Sequence, residues 1–194
     1  MPLEPTILTL QKRNIHIMKK IIFMDNNSLH SYQLNQVDTY MMSTLFVIGN
    51  ILMPQLCHFV GGSHAGHVWL PIYFFTLIGA YKYGMAVGLL TAVLSPLINH
   101  LMFGMPPLAV LPSILCKSVV LAVVAGMIAE RTNKVTLPTL LATVLVYQMI
   151  GTLGEFALFQ HDFYAAISDF RIGIPGMLLQ LFGGYLLLKY VLIK

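Results

Sequence analysis

The sequence predicts an all-α polytopic membrane protein, a compact bundle of six transmembrane helices with both termini cytoplasmic. Three observations predict it. Hydrophobic residues make up 57% of the 194-residue chain and charged residues only 9%, against about 25% charged in an ordinary soluble domain. The apolar residues fall into runs close to the roughly 20 residues a helix needs to cross the hydrocarbon core. Gly, Pro and charged residues separate those runs, and the basic ones collect on alternate links, the pattern left by the retention of Lys and Arg on the cytoplasmic side.

The elements follow in order. Residues 1–38 are mixed in character and read as an N-terminal cytoplasmic or interfacial arm, with Met1 and Met18 both candidate starts. Its apolar patch, Ile21 to Met24, is too short for a secretory signal. Residues 39–194 form the membrane domain. The first span is expected from about Thr39 to His58, closed by Gly61-Gly62, and the second from about His67 to Tyr81. The third runs from about Gly84 to Phe103, closed by Gly104 and Pro106-Pro107, and the fourth from about Leu108 to Ala129, stopped by Glu130-Arg131. The fifth covers about Leu137 to Phe159 and the sixth about Ile167 to Ile193. The short links on either side of the third span force antiparallel neighbours.

Orientation has its own test. Lys12, Arg13, Lys19, Lys20, Lys82, Arg131, Lys134, Lys189 and Lys194 fall on one side of this arrangement, leaving only Lys117 and Arg171 of the 11 basic residues. A missing or extra span would scatter them. The net charge of +4 is therefore topological, and no basic patch interleaved with aromatics points to nucleic acid.

The remaining polar groups are biased toward the outer half. His58, His64 and His67 lie in the first outer loop, Asn99 and His100 near the outer end of the third span, and Gln160, His161, Asp162, Asp169 and Arg171 around the last outer loop. Glu155 sits near the outer end of the fifth span, while Asn50 and Gln148 lie near mid-depth. Lys117 lies inside the fourth span, where an ammonium needs a partner or a purpose. This asymmetry predicts a pocket open to the outside and closed below, not a continuous pore.

Each candidate has a functional and a structural reading. Lys117 either pairs with Glu155 to fix helix register or, with Arg171, attracts the anionic part of a substrate. Asn99, His100 and Glu155 are candidate hydrogen-bonding groups, and the glycine-rich loop from His58 to His67 is a candidate cover. Trp69, Tyr73, Phe74 and Tyr81 along the second span are candidates to stack on a planar ring, with anchoring at the membrane interface the alternative for Trp69 and Tyr81. His58, His64 and His67 offer a transition-metal alternative, although H-x5-H-x2-H matches no established metal spacing. Cys57 and Cys116 form no CxxC or other ligand pair. No HExxH, GxSxG or Walker lysine motif is present, so the chain is not expected to be an enzyme by itself.

The stretch FGMPPLAVLPSILCKSVVLAVVAGMIAE, residues 103–130, set among short-looped helices with basic inner links and polar outer loops, resembles the substrate-binding S component of an energy-coupling factor (ECF) vitamin transporter. The resemblance covers about residues 39 to 193 and is one of architecture and sequence texture. It implies capture of a vitamin-like micronutrient, here anionic or zwitterionic, at the outer face of a bacterial inner membrane. It also implies association with a transmembrane coupling protein and two ATPase subunits that use ATP, and no cofactor bound by this chain. The family often carries AxxxA on its first helix for the coupling protein; here only Thr39 and Ser43 have that spacing. Small residues recur instead at Gly84 and Gly88, and at Ala122, Ala125, Gly126 and Ala129, either as docking faces or as packing within the chain. The competing class is a non-transport membrane scaffold of the MreD-like, cell-shape type, which would require no polar outer cavity; an intramembrane enzyme built on His100, Glu155 and His161 ranks last.

Overall fold

The computed structural model describes residues 29, 31–62, 68–160 and 170–192. The arm up to residue 28, His64, His67, His161, Asp162, Asp169 and Lys194 lie outside the described residues. Helices and their links account for all of the described chain, with no strand among the described residues. α1 spans Val37–Gly61, α2 Pro71–Tyr83, α3 Met85–Phe103, α4 Leu111–Thr132, α5 Leu137–Glu155 and α6 Ile174–Leu192. α5 continues through wider π-type turns over Phe156–Gln160, and similar turns interrupt α6 at Leu179–Gly183 and Leu187–Leu192.

Local chemistry places the helix ends. Proline stands in the first turn of α2, α4, α5 and α6, where its missing N–H is one that a helix leaves unpaired anyway. Thr136 caps α5 in a reciprocal box with Thr139. Gly104, at φ 66, closes α3 through a 2.8 Å bond from its N–H to the His100 carbonyl, and Asn133, at φ 50, does the same for α4.

α1, α3, α4, α5 and α6 are long and apolar enough to cross a membrane, and the chain is a multi-pass membrane protein. α2 is different. With 13 residues at 1.5 Å each it is about 20 Å long, short of the roughly 30 Å hydrocarbon core. The expected second span, from about His67 to Tyr81, is therefore shortened at its start. Pro71 disfavours helical geometry at the residue before it, and Leu70 takes a left-handed conformation, φ 46, that separates Val68 and Trp69 from the helix. The Trp69 carbonyl lies so close to Gly176 of α6 that a Cβ there would sit 2.5 Å from its oxygen.

Every residue of α2 except Phe75 is buried, as expected for a helix apolar all round. It packs against α1, α3, α4 and α6, and Tyr81, a candidate interfacial anchor by sequence, is fully buried. Asn50 ties three helices together: its Nδ2 donates to Thr76 Oγ1 (3.0 Å) and Ser95 Oγ (3.2 Å), and its Oδ1 accepts from the Phe75 N–H (3.1 Å). Asn50 is thus structural glue. The small residues serve the same end. A Cβ on Gly88 would come within 2.4 Å of the Ala80 Cβ, and one on Gly126 within 2.9 Å of the Met85 Cβ. Gly84, Ala122, Ala125 and Ala129 are buried too, as are Thr39 and Ser43 of α1.

The two ends of the bundle differ. Lys82, Arg131, Lys134 and Lys189 stand at the end formed by the C-termini of α2, α4 and α6 and the start of α5. There Tyr81 OH lies 2.8 Å from the Lys134 carbonyl and Ser31 donates to Glu130 Oε1 at 2.9 Å. Gly88→Ala should lower stability by about 1–3 kcal/mol through overpacking. Gly154→Ala, whose Cβ would meet only Cys116 Sγ at an ordinary 3.5 Å, should be neutral or raise stability by up to about 1 kcal/mol through helix propensity. Thermal unfolding in detergent measures both.

Candidate functional site

The opposite end of the bundle holds a cavity of about 320 Å³. It lies between the C-terminal parts of α1, α3 and α5 and the N-terminal parts of α2 and α4, so the antiparallel order brings sequence-distant residues to one level. Pro54 and His58 come from α1, Pro71 and Tyr73 from α2, and Asn99 from α3. Met105, Pro106 and Pro107 of the following link form one wall, α4 supplies Ser113, Ile114 and Lys117, and α5 supplies Gln148 and Glu155.

An ion pair anchors its floor. Lys117 and Glu155, 4% and 2% exposed, meet through Nζ and Oε2. Ser113, one turn before Lys117 and on the same helix face, donates to Glu155 Oε1 at 2.6 Å. On α5, Gln148, Gly151 and Glu155 follow the same facing rule. Gly151 makes room for the cation: a Cβ there would lie 2.9 Å from Lys117 Cγ. Pairing keeps two charges in an apolar bundle with little net field, and Ser113 occupies part of the carboxylate's accepting capacity.

Around the pair stand further polar groups. Asn99, 1% exposed, accepts from Gln55 Nε2 at 3.3 Å through Oδ1. His58 Nδ1 lies 3.0 Å from the Gly62 carbonyl. Gln148 is 2% exposed, and its Oε1 has no hydrogen-bond partner among the described residues. A buried acceptor left in that state carries a desolvation cost.

The structure brings together Lys117, Glu155, Asn99 and His58 of the residues singled out by sequence. Arg171, His100 and Trp69 do not line the cavity. Arg171 is exposed, in the helical turn ahead of α6, and does not join Lys117 in the lining. His100 turns its Nδ1 to the Pro106 carbonyl, 2.8 Å away, and so braces the cavity wall from behind. Trp69 is 43% exposed, because the kink at Leu70 separates it from the wall that Leu70 and Pro71 form. His64 and His67 lie outside the described residues, and among the described residues no three His, Cys, Asp or Glu side chains cluster as a metal site.

Tyr73, a candidate ring-stacking residue, lines the cavity as well, whereas Ser113 and Gln148 were not singled out as site residues by sequence. The signal for Gln148 was its spacing, two turns before Glu155, and for Ser113 its place one turn before Lys117. No family model, curated protein or solved structure matches the chain. The site therefore has to be read from its own chemistry.

Lys117→Met should lower stability by about 3–5 kcal/mol, because it leaves the Glu155 carboxylate buried without its cation. The double variant Lys117→Met/Glu155→Gln should recover most of that loss. A double-mutant cycle of unfolding free energies in detergent measures the coupling.

Proposed function

We propose that this chain is a substrate-capture subunit of an ECF-type importer, a six-helix protein of a bacterial inner membrane that binds a small vitamin-like nutrient, anionic or zwitterionic, from the outer side. The observation that carries the reading is the cavity. It is of ligand size, and its polar lining converges from five helices at the end opposite Lys82, Arg131, Lys134 and Lys189. By the retention of basic residues on the cytoplasmic side, that end faces outward and both termini face the cytoplasm. α2 is then the sixth segment, shielded from lipid by its neighbours.

In this reading Lys117 and Glu155 orient the charged part of the nutrient, while Asn99, Gln148 and His58 hydrogen-bond it. ATP is hydrolysed by two partner ATPases, reached through a transmembrane coupling protein. Docking of that protein does not use Thr39, Ser43, Gly88 or the alanines of α4, since packing within the chain already buries them. A cell-shape scaffold would have no use for a hollow whose floor is an ion pair.

Mass spectrometry of the chain purified gently in detergent should find a retained small molecule. Ile114→Trp, which adds bulk to the cavity wall and keeps both members of the ion pair, should reduce retention at least about tenfold, equivalent to about 1.4 kcal/mol, whereas Arg171→Ala should leave it unchanged. Equal retention by wild type and Ile114→Trp would remove the cavity from the function. For orientation, in a Cys57→Ser/Cys116→Ser background, Met105→Cys should react with an impermeant maleimide in intact cells and Lys134→Cys only after permeabilisation. The reverse result would invert the topology.

A further inference from the structure

We infer that the cavity selects a zwitterion, a small molecule carrying an ammonium or comparable N–H donor together with a carboxylate, and discriminates against simple anions. The inference rests on the capture reading and sharpens its substrate class. Among the described residues that line the cavity, the acidic and basic side chains are His58, Lys117 and Glu155. The last two already neutralise one another.

A lone anion entering this site would gain the attraction of Lys117 and meet the repulsion of Glu155 at nearly the same distance. It would lose its hydration for little return, and Arg171, the cation that could tip the balance, is exposed and outside the lining. A zwitterion avoids that conflict. Its carboxylate lies against Lys117 and its ammonium against Glu155, so that charges alternate and every one has an opposite neighbour.

Gln148 points to the same chemistry independently. Its Oε1 is an acceptor without a partner in a side chain that is 2% exposed and lines the cavity. A bound N–H donor would satisfy it; a carboxylate or phosphate oxygen would not. The amide can turn over to offer its N–H₂ instead, but then it competes with Lys117 for acceptors and withdraws its own oxygen from the ammonium.

The test separates ligand charge from ligand capture. Water-soluble metabolites extracted from bacterial cells are divided by ion exchange into anionic, cationic, zwitterionic and uncharged pools. Each pool is incubated with the full chain in detergent, and retained molecules are weighed by mass spectrometry after gel filtration. The expected result is retention from the zwitterionic pool at least about tenfold above every other pool, a difference of about 1.4 kcal/mol. Gln148→Leu should cut that retention by a similar factor while holding or raising the unfolding temperature, since it removes an unsatisfied group. If Gln148→Leu fails to fold, Gln148→Met, closer in shape, serves in its place. Retention confined to the anionic, cationic or uncharged pool would overturn the charge inference and leave capture standing. Retention from no pool would overturn capture and the inference with it, and unchanged retention by the Gln148 variants would remove the amide from the argument for a donor.

Discussion

The pairing of Lys117 with Glu155 is the constraint on which the rest of this molecule depends. On translocon-insertion scales a single Lys or Asp at the middle of a transmembrane helix costs about 2.5–3.5 kcal/mol, so neither α4 nor α5 carries its charge cheaply on its own. Together the two helices bury both groups, and the pair then fixes which faces of α4 and α5 meet and at what height. The positions of Ser113, Gly151 and Gln148 follow from that register, since each shares a face with one member of the pair. Gly151 is the clearest consequence: a side chain there would collide with the lysine stem.

A second constraint shapes the space above the pair. α2 is too short to cross the hydrocarbon core, and it starts at Pro71 behind a left-handed Leu70. A full-length helix in the same place would extend past the level of Lys117 and fill the bundle to its end. By stopping early, α2 leaves room that Tyr73, the Pro106-Pro107 link and the ends of α1 and α3 enclose. The apolar packing lies below, where Leu77, Ile78, Ala80 and Tyr81 are all fully buried. The cavity is thus a product of unequal helix lengths, with polar groups where packing gives out.

Much of this was legible in the sequence, and the reasons are physical. Hydrophobic runs bounded by Gly, Pro and charges place α1, α3, α4 and α5 within a few residues, because crossing a membrane requires both length and continuous apolarity. Lys117, Glu155 and Asn99 stand out because polar groups inside such runs are costly, and they do meet at one cavity. Hydropathy alone could not show that α2 is short and encased, since an apolar helix reads the same whether lipid or protein surrounds it. Nor could it separate Asn50 from Gln148. Both are buried amides near mid-depth, but Asn50 finds donors and acceptors on two neighbouring helices, and Gln148 keeps an unpaired oxygen. Arg171 stands outside the lining for the opposite reason: a cation near a helix end has water within reach, and nothing forces it inward.

That contrast between the two amides gives the polar groups a working division. Those whose hydrogen bonds close within the protein, Asn50, Thr76 and Ser95 among them, hold helices together and leave nothing for a ligand. Gln148, which lines the cavity, is of the other kind: its acceptor has no partner among the described residues. A buried group with spare capacity costs stability in the empty protein, and the same capacity becomes binding free energy when a complementary molecule enters. Stability lost at the cavity and specificity gained there are two readings of one interaction, which is why residues that look imperfectly satisfied carry the functional argument further than those that are fully bonded.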